Sequence, residues 1–146
     1  MALIESTQFV EVTASMAAPL RGKKRWAYLE RQKTIRLATT SEDGSIYLSS
    51  LWYVIQNETI YLPVDAAGKH GINFKSDRNL AALVDSGDEF STVAGVRIFG
   101  TVSEIDDPTL FDTLQDLVFE KYFYAGHPYA EPYFAFGNTV GRKYYA

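Results

Sequence analysis

The sequence predicts a mainly β domain: a small antiparallel β-barrel with flanking helices. Between Thr34 and Ile105, apolar and polar residues alternate in short segments that turn residues separate. A longer segment with helical spacing follows near 108–125. The strand segments do not alternate regularly with helices, as the βαβ units of a parallel sheet would require. About six antiparallel strands with one long helix late in the chain therefore indicate a small barrel.

The chain begins with a segment of no clear periodicity. We expect a loosely held N-terminal arm at 1–22 and a single domain at 23–146. Within Lys23–Lys33, Trp26 and Leu29 share one face and charged residues occupy the rest, which predicts a short helix.

Three strands joined by tight turns are expected next, at Thr34–Thr40, Ile46–Ile55 and Thr59–Val64. The Asp43-Gly44 pair between the first two is a strong hairpin signal, and residues 56–58 form the second turn. Because proline cannot donate a ladder hydrogen bond, Pro63 predicts that the third strand ends at a sheet edge.

The second half predicts a loop with one or two helical turns at Gly68–Arg78, followed by strands at Asn79–Asp85 and Thr92–Ile105. Asp106-Asp107 before Pro108 is typical of a helix start. A final strand over Asn138–Ala146 has no stop signal, which leaves open whether the natural chain extends beyond Ala146.

Composition excludes several classes of function. The net charge of −4 and the lack of a broad basic face argue against nucleic-acid binding. No apolar run reaches the roughly 18–20 residues of a membrane span. The N-terminus lacks the basic start of a signal peptide and the chain has no cysteine, so we expect a cytoplasmic protein.

Familiar catalytic motifs are missing from the sequence. With His70 and His127 as the only histidines and no cysteine, we expect no metal site. The sequence has no G-x-G-x-x-G after a strand, no complete P-loop and no G-x-S-x-G elbow. No side chain stands out as a catalytic acid or base, so a cofactor would carry the chemistry of an enzyme of this kind.

The cationic segment Gly68–Arg78 is the main candidate for a binding site. Backbone N–H groups at a helix start and nearby ammonium groups can surround an anion such as phosphate. The candidates are Lys69, His70 and Lys75. The alternatives are ordinary solvated lysines and an exposed, neutral histidine.

Several short motifs occur in a fixed order along the chain. Leu37–Thr40 leads into the Asp43-Gly44 turn, Ser49–Tyr53 follows, then Gly68–His70, and finally Gly95–Val102. This ordered set resembles the flavin-binding split-barrel family of pyridoxamine-phosphate-oxidase-like proteins and their deazaflavin-dependent relatives.

The resemblance implies a Greek-key split barrel that forms a homodimer, with cofactor sites at the subunit interface. It implies that Lys69 contacts the cofactor phosphate and that the second predicted strand, Ile46–Ile55, lies along the flavin ring. The residues expected beside the ring are Ser49, Ser50, Leu51 and Trp52. The alternative for Leu51 and Trp52 is that they fill the barrel or dimer core. The expected cofactor is FMN, with the deazaflavin coenzyme (factor 420) as the alternative.

The resulting hypothesis is an oxidoreductase that transfers a hydride to or from a small-molecule substrate. A second hypothesis is a flavin- or haem-binding barrel without turnover, with His70 or His127 as the haem ligand. A third is a dimeric interaction protein without a cofactor. For Arg36 and Arg97, pairing with an acid across strands competes with recognition of an anionic ligand.

Overall fold

The computed structural model describes residues 8–13, 20–123 and 142–146. The described strands are β1 (Gln8–Thr13), β2 (Ile35–Thr40), β3 (Ile46–Leu51), β4 (Val54–Gln56), β5 (Thr59–Asp65), β6 (Asn79–Ser86), β7 (Ala94–Thr101) and β8 (Arg142–Tyr145). The described helices are α1 (Lys23–Arg31), α2 (Lys69–Ser76) and α3 (Pro108–Tyr122).

The strands form two antiparallel sheets, which confirms the predicted mainly β class. The larger sheet has the order β1-β7-β6-β2-β3, and the smaller has the order β4-β5-β8. The main hydrophobic core lies between them and includes Leu37 of β2, Val64 of β5 and Phe74 of α2, all almost fully buried. Because Phe74 belongs to this core, α2 is held firmly against both sheets.

The prediction of one continuous strand over Ile46–Ile55 is wrong. The chain leaves the larger sheet after Leu51 and enters the smaller sheet at Val54. At the break, the Tyr53 N–H donates to the Tyr122 hydroxyl over 2.9 Å, and the buried Tyr53 hydroxyl donates to the Leu29 carbonyl. The Tyr122 hydroxyl of α3 thus replaces a strand neighbour for the Tyr53 backbone, and the Leu29 carbonyl of α1 satisfies its hydroxyl.

Strand β1 was not anticipated, since it lies within the segment expected to be an arm. It pairs with β7 from Gln8↔Phe99 to Thr13↔Ala94 and forms one edge of the larger sheet. The other edge of that sheet is β3.

Pro63 lies in the central strand of the smaller sheet, and not in an edge strand as the sequence indicated. The pairing of β5 with β4 ends at Tyr61, whereas Pro63 itself pairs with Tyr144 of β8. Among the described strands, β8 alone therefore pairs at the proline, and its missing N–H costs no hydrogen bond towards β4.

Helix α3 begins as the capping residues predicted. Asp107 accepts hydrogen bonds from the backbone N–H groups of Thr109 and Leu110 over 2.9 and 3.4 Å, and a proline occupies the first turn. Its buried face joins a second hydrophobic cluster through Leu114 and Val118. None of the helices in the described ranges is both long and apolar enough to cross a bilayer.

Candidate functional site

Helix α2 starts at a tight turn after β5. The Gly68 N–H donates to the Asp65 carbonyl over 3.0 Å, and the Ala67 N–H donates to the Asp65 carboxylate over 2.9 Å. The N-cap residue is Gly68, which has no side chain to cap the first turn of α2. Its leading N–H groups, with the positive end of the helix dipole, therefore form a place where an anion is stabilised.

Gly71 allows α2 to pack directly on this turn. A Cβ atom at this position would lie 2.4 Å from the Asp65 carbonyl oxygen and 2.9 Å from that of Ala66. A side chain cannot fit against two backbone oxygens at such distances. The absence of a Cβ thus sets the position of the helix start relative to β5.

His70 is the centre of a buried hydrogen-bonded network that joins α2 to two strands. Its Nδ1 lies 2.9 Å from Thr39 Oγ1 on β2, and its Nε2 lies 2.8 Å from Ser49 Oγ on β3. One helical turn later, Asn73 Nδ2 donates to the same Thr39 oxygen over 2.8 Å. The Tyr47 ring contacts the imidazole edge to face, with 4.8 Å between centroids.

The surroundings keep His70 neutral. Burial lowers its pKa from the ordinary value to about 4, because the charged imidazolium would lose its hydration inside the protein. The sequence offered an exposed, neutral histidine as the alternative. The histidine is neutral but not exposed, since only 4% of its surface is accessible to solvent.

The four residues expected beside a ring point in different directions. Ser49 contacts His70 and Ser50 is exposed, whereas Leu51 packs against the main core. Trp52 stacks on Tyr122 with 4.3 Å between ring centroids and packs against the second hydrophobic cluster. For Leu51 and Trp52, this packing favours the core interpretation over a ring-binding role.

The two predicted lysines lie at opposite ends of α2. Both side chains are exposed, with Lys69 in the first turn and Lys75 in the last. Six residues of α-helix separate them by about 9 Å along the axis. Lys69 adds its charge to the positive end of the helix dipole, whereas Lys75 balances the negative end. Lys69 is thus the better placed to contact a phosphate.

Sequence reasoning did not assign a site role to Thr39 and Asn73. Each is only 2% exposed to solvent, and both complete the network around His70. The spacing of His70 and Asn73, three residues apart on a short helix, was the available signal, because such residues share a helix face. Nothing in the local sequence of β2 indicates that Thr39 is their partner.

The structure also distinguishes between the interpretations of Arg36. Its guanidinium forms an ion pair with Asp85 of β6, which supports cross-strand pairing over anion recognition. Both side chains are partly exposed, so the pair contributes little to stability. His127, the other candidate haem ligand, lies outside the described residues.

A cavity of about 350 Å³ lies away from this network, between α1, β4 and α3, and none of the predicted site residues lines it. Lys121 forms part of its wall. Its Nζ is buried, has no hydrogen-bond partner within residues 8–13, 20–123 and 142–146, and lies 3.7 Å from the centroid of the Tyr53 ring. Burial, and then the nearby Lys33 ammonium, lower the pKa of Lys121 to about 8.

Replacing Lys121 with methionine is expected to raise the free energy of unfolding by about 1–2 kcal/mol at pH 7. This is less than the full pKa shift implies, because water still reaches part of the side chain. The folded pKa lies below the unfolded one, so the native protein bears the cost of a buried charge at pH 7. That cost falls as the pH rises through about 8 and is gone above about 10.4. Urea unfolding of Lys121→Met at pH 7 and pH 10.5 measures both effects. The exposed Lys75→Met is the control, and an equal stability gain at both pH values would contradict the assignment.

Comparison with known proteins identifies related sequences and folds. The family model described as pyridoxamine 5'-phosphate oxidase matches residues 23–142. No curated protein sequence gives a significant match.

Three solved structures illustrate the shared fold. A conserved hypothetical protein from Mycobacterium tuberculosis superimposes with a TM-score of 0.72 at 22% identity, over 86% of this chain and 78% of its own. The haem storage protein HutZ from Vibrio cholerae gives 0.68 at 12% identity, over 84% and 85%. An FAD-binding protein from Mesorhizobium loti gives 0.57 at 17% identity, over 79% and 81%. Identities this low establish a common fold alone.

Proposed function

This chain belongs to the pyridoxamine 5'-phosphate oxidase family, and we propose that it is an oxidoreductase that binds FMN, or alternatively the deazaflavin coenzyme, at a homodimer interface. The reaction is the transfer of a hydride to or from a small organic substrate. The observation that carries this proposal is the start of α2, where uncapped N–H groups and the exposed Lys69 lie beside the Ser49 strand.

The residues at the start of α2 fit the phosphate of such a cofactor. Lys69 supplies a point charge, and the first N–H groups of α2 supply directional donors. The Asp65 carboxylate opposes an anion here, but its hydrogen bond with the Ala67 N–H directs one oxygen into the turn. The chemistry of hydride transfer belongs to the bound ring, and the protein supplies binding, orientation and exclusion of water.

Replacing Lys69 with alanine is expected to weaken FMN or deazaflavin binding by about 1–3 kcal/mol, the scale of a charge-assisted hydrogen bond. Titration calorimetry measures this change. The matched control is Lys75→Ala, which removes the same charge from the far end of α2 and is expected to have a smaller effect. Equal losses for both variants would show that only net charge matters and would contradict the phosphate contact.

The proposed homodimer uses the outer face of the larger sheet. Directly paired residues place Leu48, Ala38, Ala81 and Phe99 in one row across four strands. The two small alanines lie between the two large apolar side chains. Leu48 and Phe99 are 65% and 41% exposed. An exposed apolar surface of this kind is typical of a protein interface.

A flavin- or haem-binding barrel without turnover is the second candidate, and the similarity to a haem storage protein favours it. His70 offers little support for haem ligation, because Thr39 and Ser49 occupy both ring nitrogens. A thermal-shift screen with FMN, the deazaflavin coenzyme and haem separates the candidates, since a tight ligand raises the apparent stability. Stabilisation by haem alone would favour the second candidate over the oxidoreductase.

A further inference from the structure

We propose that Asn73 and Thr39 hold His70 in the tautomer protonated on Nε2, and that this leaves the Ser49 hydroxyl hydrogen free to donate to a bound ligand. His70 is then a positioning residue that acts through Ser49. The identity of the ligand as the flavin-type ring rests on the proposed function, whereas the tautomer does not.

The argument begins at Asn73, whose side-chain amide nitrogen is a donor only. It donates to Thr39 Oγ1 over 2.8 Å and so occupies one lone pair of that oxygen. Thr39 is 2% exposed, so its own hydroxyl hydrogen needs an acceptor inside the protein.

His70 Nδ1 is the acceptor available to Thr39. The two atoms lie 2.9 Å apart, and no other acceptor for this hydroxyl occurs in the described ranges. If Nδ1 carried the hydrogen instead, Thr39 would accept twice and its O–H would be buried without a partner. Such a group loses its hydrogen bonds to water on burial and gains none in return. The network therefore favours Nδ1 without a hydrogen and Nε2 with one.

The consequence appears at Ser49, on the far side of the imidazole. Nε2–H donates to Ser49 Oγ over 2.8 Å, so the serine oxygen acts as an acceptor towards His70. Its own hydrogen is not used within the described part of the chain, and the residue is half-buried on the edge strand β3. Ser49 is thereby a ready donor to a carbonyl oxygen or an unprotonated ring nitrogen, which the pyrimidine part of flavins and deazaflavins presents.

The tautomer can be tested in the wild-type protein without any ligand. Long-range proton–nitrogen NMR of protein labelled with ¹⁵N-histidine distinguishes Nε2–H from Nδ1–H for the two histidines, and a His127→Gln variant assigns the signals. We expect His70 to be Nε2–H and to remain neutral from pH 8 down to pH 5. An Nδ1–H signal for His70 in the wild-type protein would overturn the inference.

Asn73→Asp provides the sharpest test because it reverses the direction of the network. A carboxylate at this position accepts from the Thr39 hydroxyl, which must then accept from His70, so we expect the tautomer to change to Nδ1–H. Thr39→Ser retains the hydroxyl and is expected to keep Nε2–H. If Asn73→Asp does not fold, Thr39→Val removes the hydroxyl, and we expect a mixture of both tautomers. A tautomer unaffected by either substitution would contradict the role of this network.

A binding experiment tests the donor role of Ser49. If the wild-type protein binds FMN or the deazaflavin coenzyme, Ser49→Ala is expected to weaken binding about tenfold, and Asn73→Asp to weaken it without removing the serine. Unchanged affinity in Ser49→Ala would overturn the donor role. If the wild-type protein binds neither cofactor, the proposed function fails, and the inference is then decided by the tautomer measurement alone.

Discussion

Gly71→Ala is expected to lower the free energy of unfolding by about 2–3 kcal/mol, the scale of overpacking in a well-packed region. Alanine is normally the better residue within a helix, by about 0.5–1 kcal/mol. Here its Cβ would lie 2.4 Å from the Asp65 carbonyl oxygen, and the backbone on both sides must move. The sign of the effect is therefore opposite to helix propensity. Urea unfolding measures it directly.

Gly68→Ala is the matched control at the start of the same helix. Its Cβ would be 3.3 Å from the same carbonyl oxygen, a contact that small adjustments relieve. We expect a loss of less than about 1 kcal/mol, from the weaker cap that alanine makes. If Gly71→Ala were as stable as the wild-type protein or more so, α2 would not be in close contact with the turn after β5.

Leu48→Glu is expected to convert the proposed dimer to a monomer by raising its dissociation constant at least about hundredfold, which corresponds to about 2.7 kcal/mol. Leu48 forms the β3 end of the apolar row on the larger sheet, where a carboxylate would lose its hydration without gaining a partner. Sedimentation velocity over a range of concentrations measures the change in association.

Phe90→Glu is the control for this variant. Phe90 is 67% exposed, against 65% for Leu48, but lies in the loop between β6 and β7 and outside the row. The control is expected to remain dimeric. A monomeric wild-type protein, or a dimer that survives Leu48→Glu, would refute the proposed interface. In the second case another face would hold the subunits together.

Much of the fold followed from local signals. The Asp43-Gly44 turn was predicted, and Gly44 adopts the positive φ of 82° that such turns require. The capped start of α3 at Asp107 was likewise predicted and is present. The division of the segment 46–55 into β3 and β4 could not be predicted, because its partner at the break is Tyr122, 69 positions later. Residues 51–55 are all apolar, so no turn signal in the local sequence marks the break.

Only part of the candidate site could be predicted from the sequence. The cationic segment and the adjacent strand were both identified, and the structure brings Ser49 and His70 within 2.8 Å. The burial of His70 was not anticipated, because a Gly- and Lys-rich segment is ordinarily exposed. Thr39 was missed for a similar reason, since a threonine on a strand has many roles until its partners are known.

The amino-acid sequence by itself determined the mainly β architecture, the tight turns and the helix starts, because these depend on residues that are neighbours along the chain. Only the tertiary structure decided what His70 does, since its hydrogen-bond partners Thr39 and Ser49 lie 31 and 21 positions away. Burial and hydrogen-bond direction are properties of groups that meet through folding, and a linear pattern does not record which groups meet.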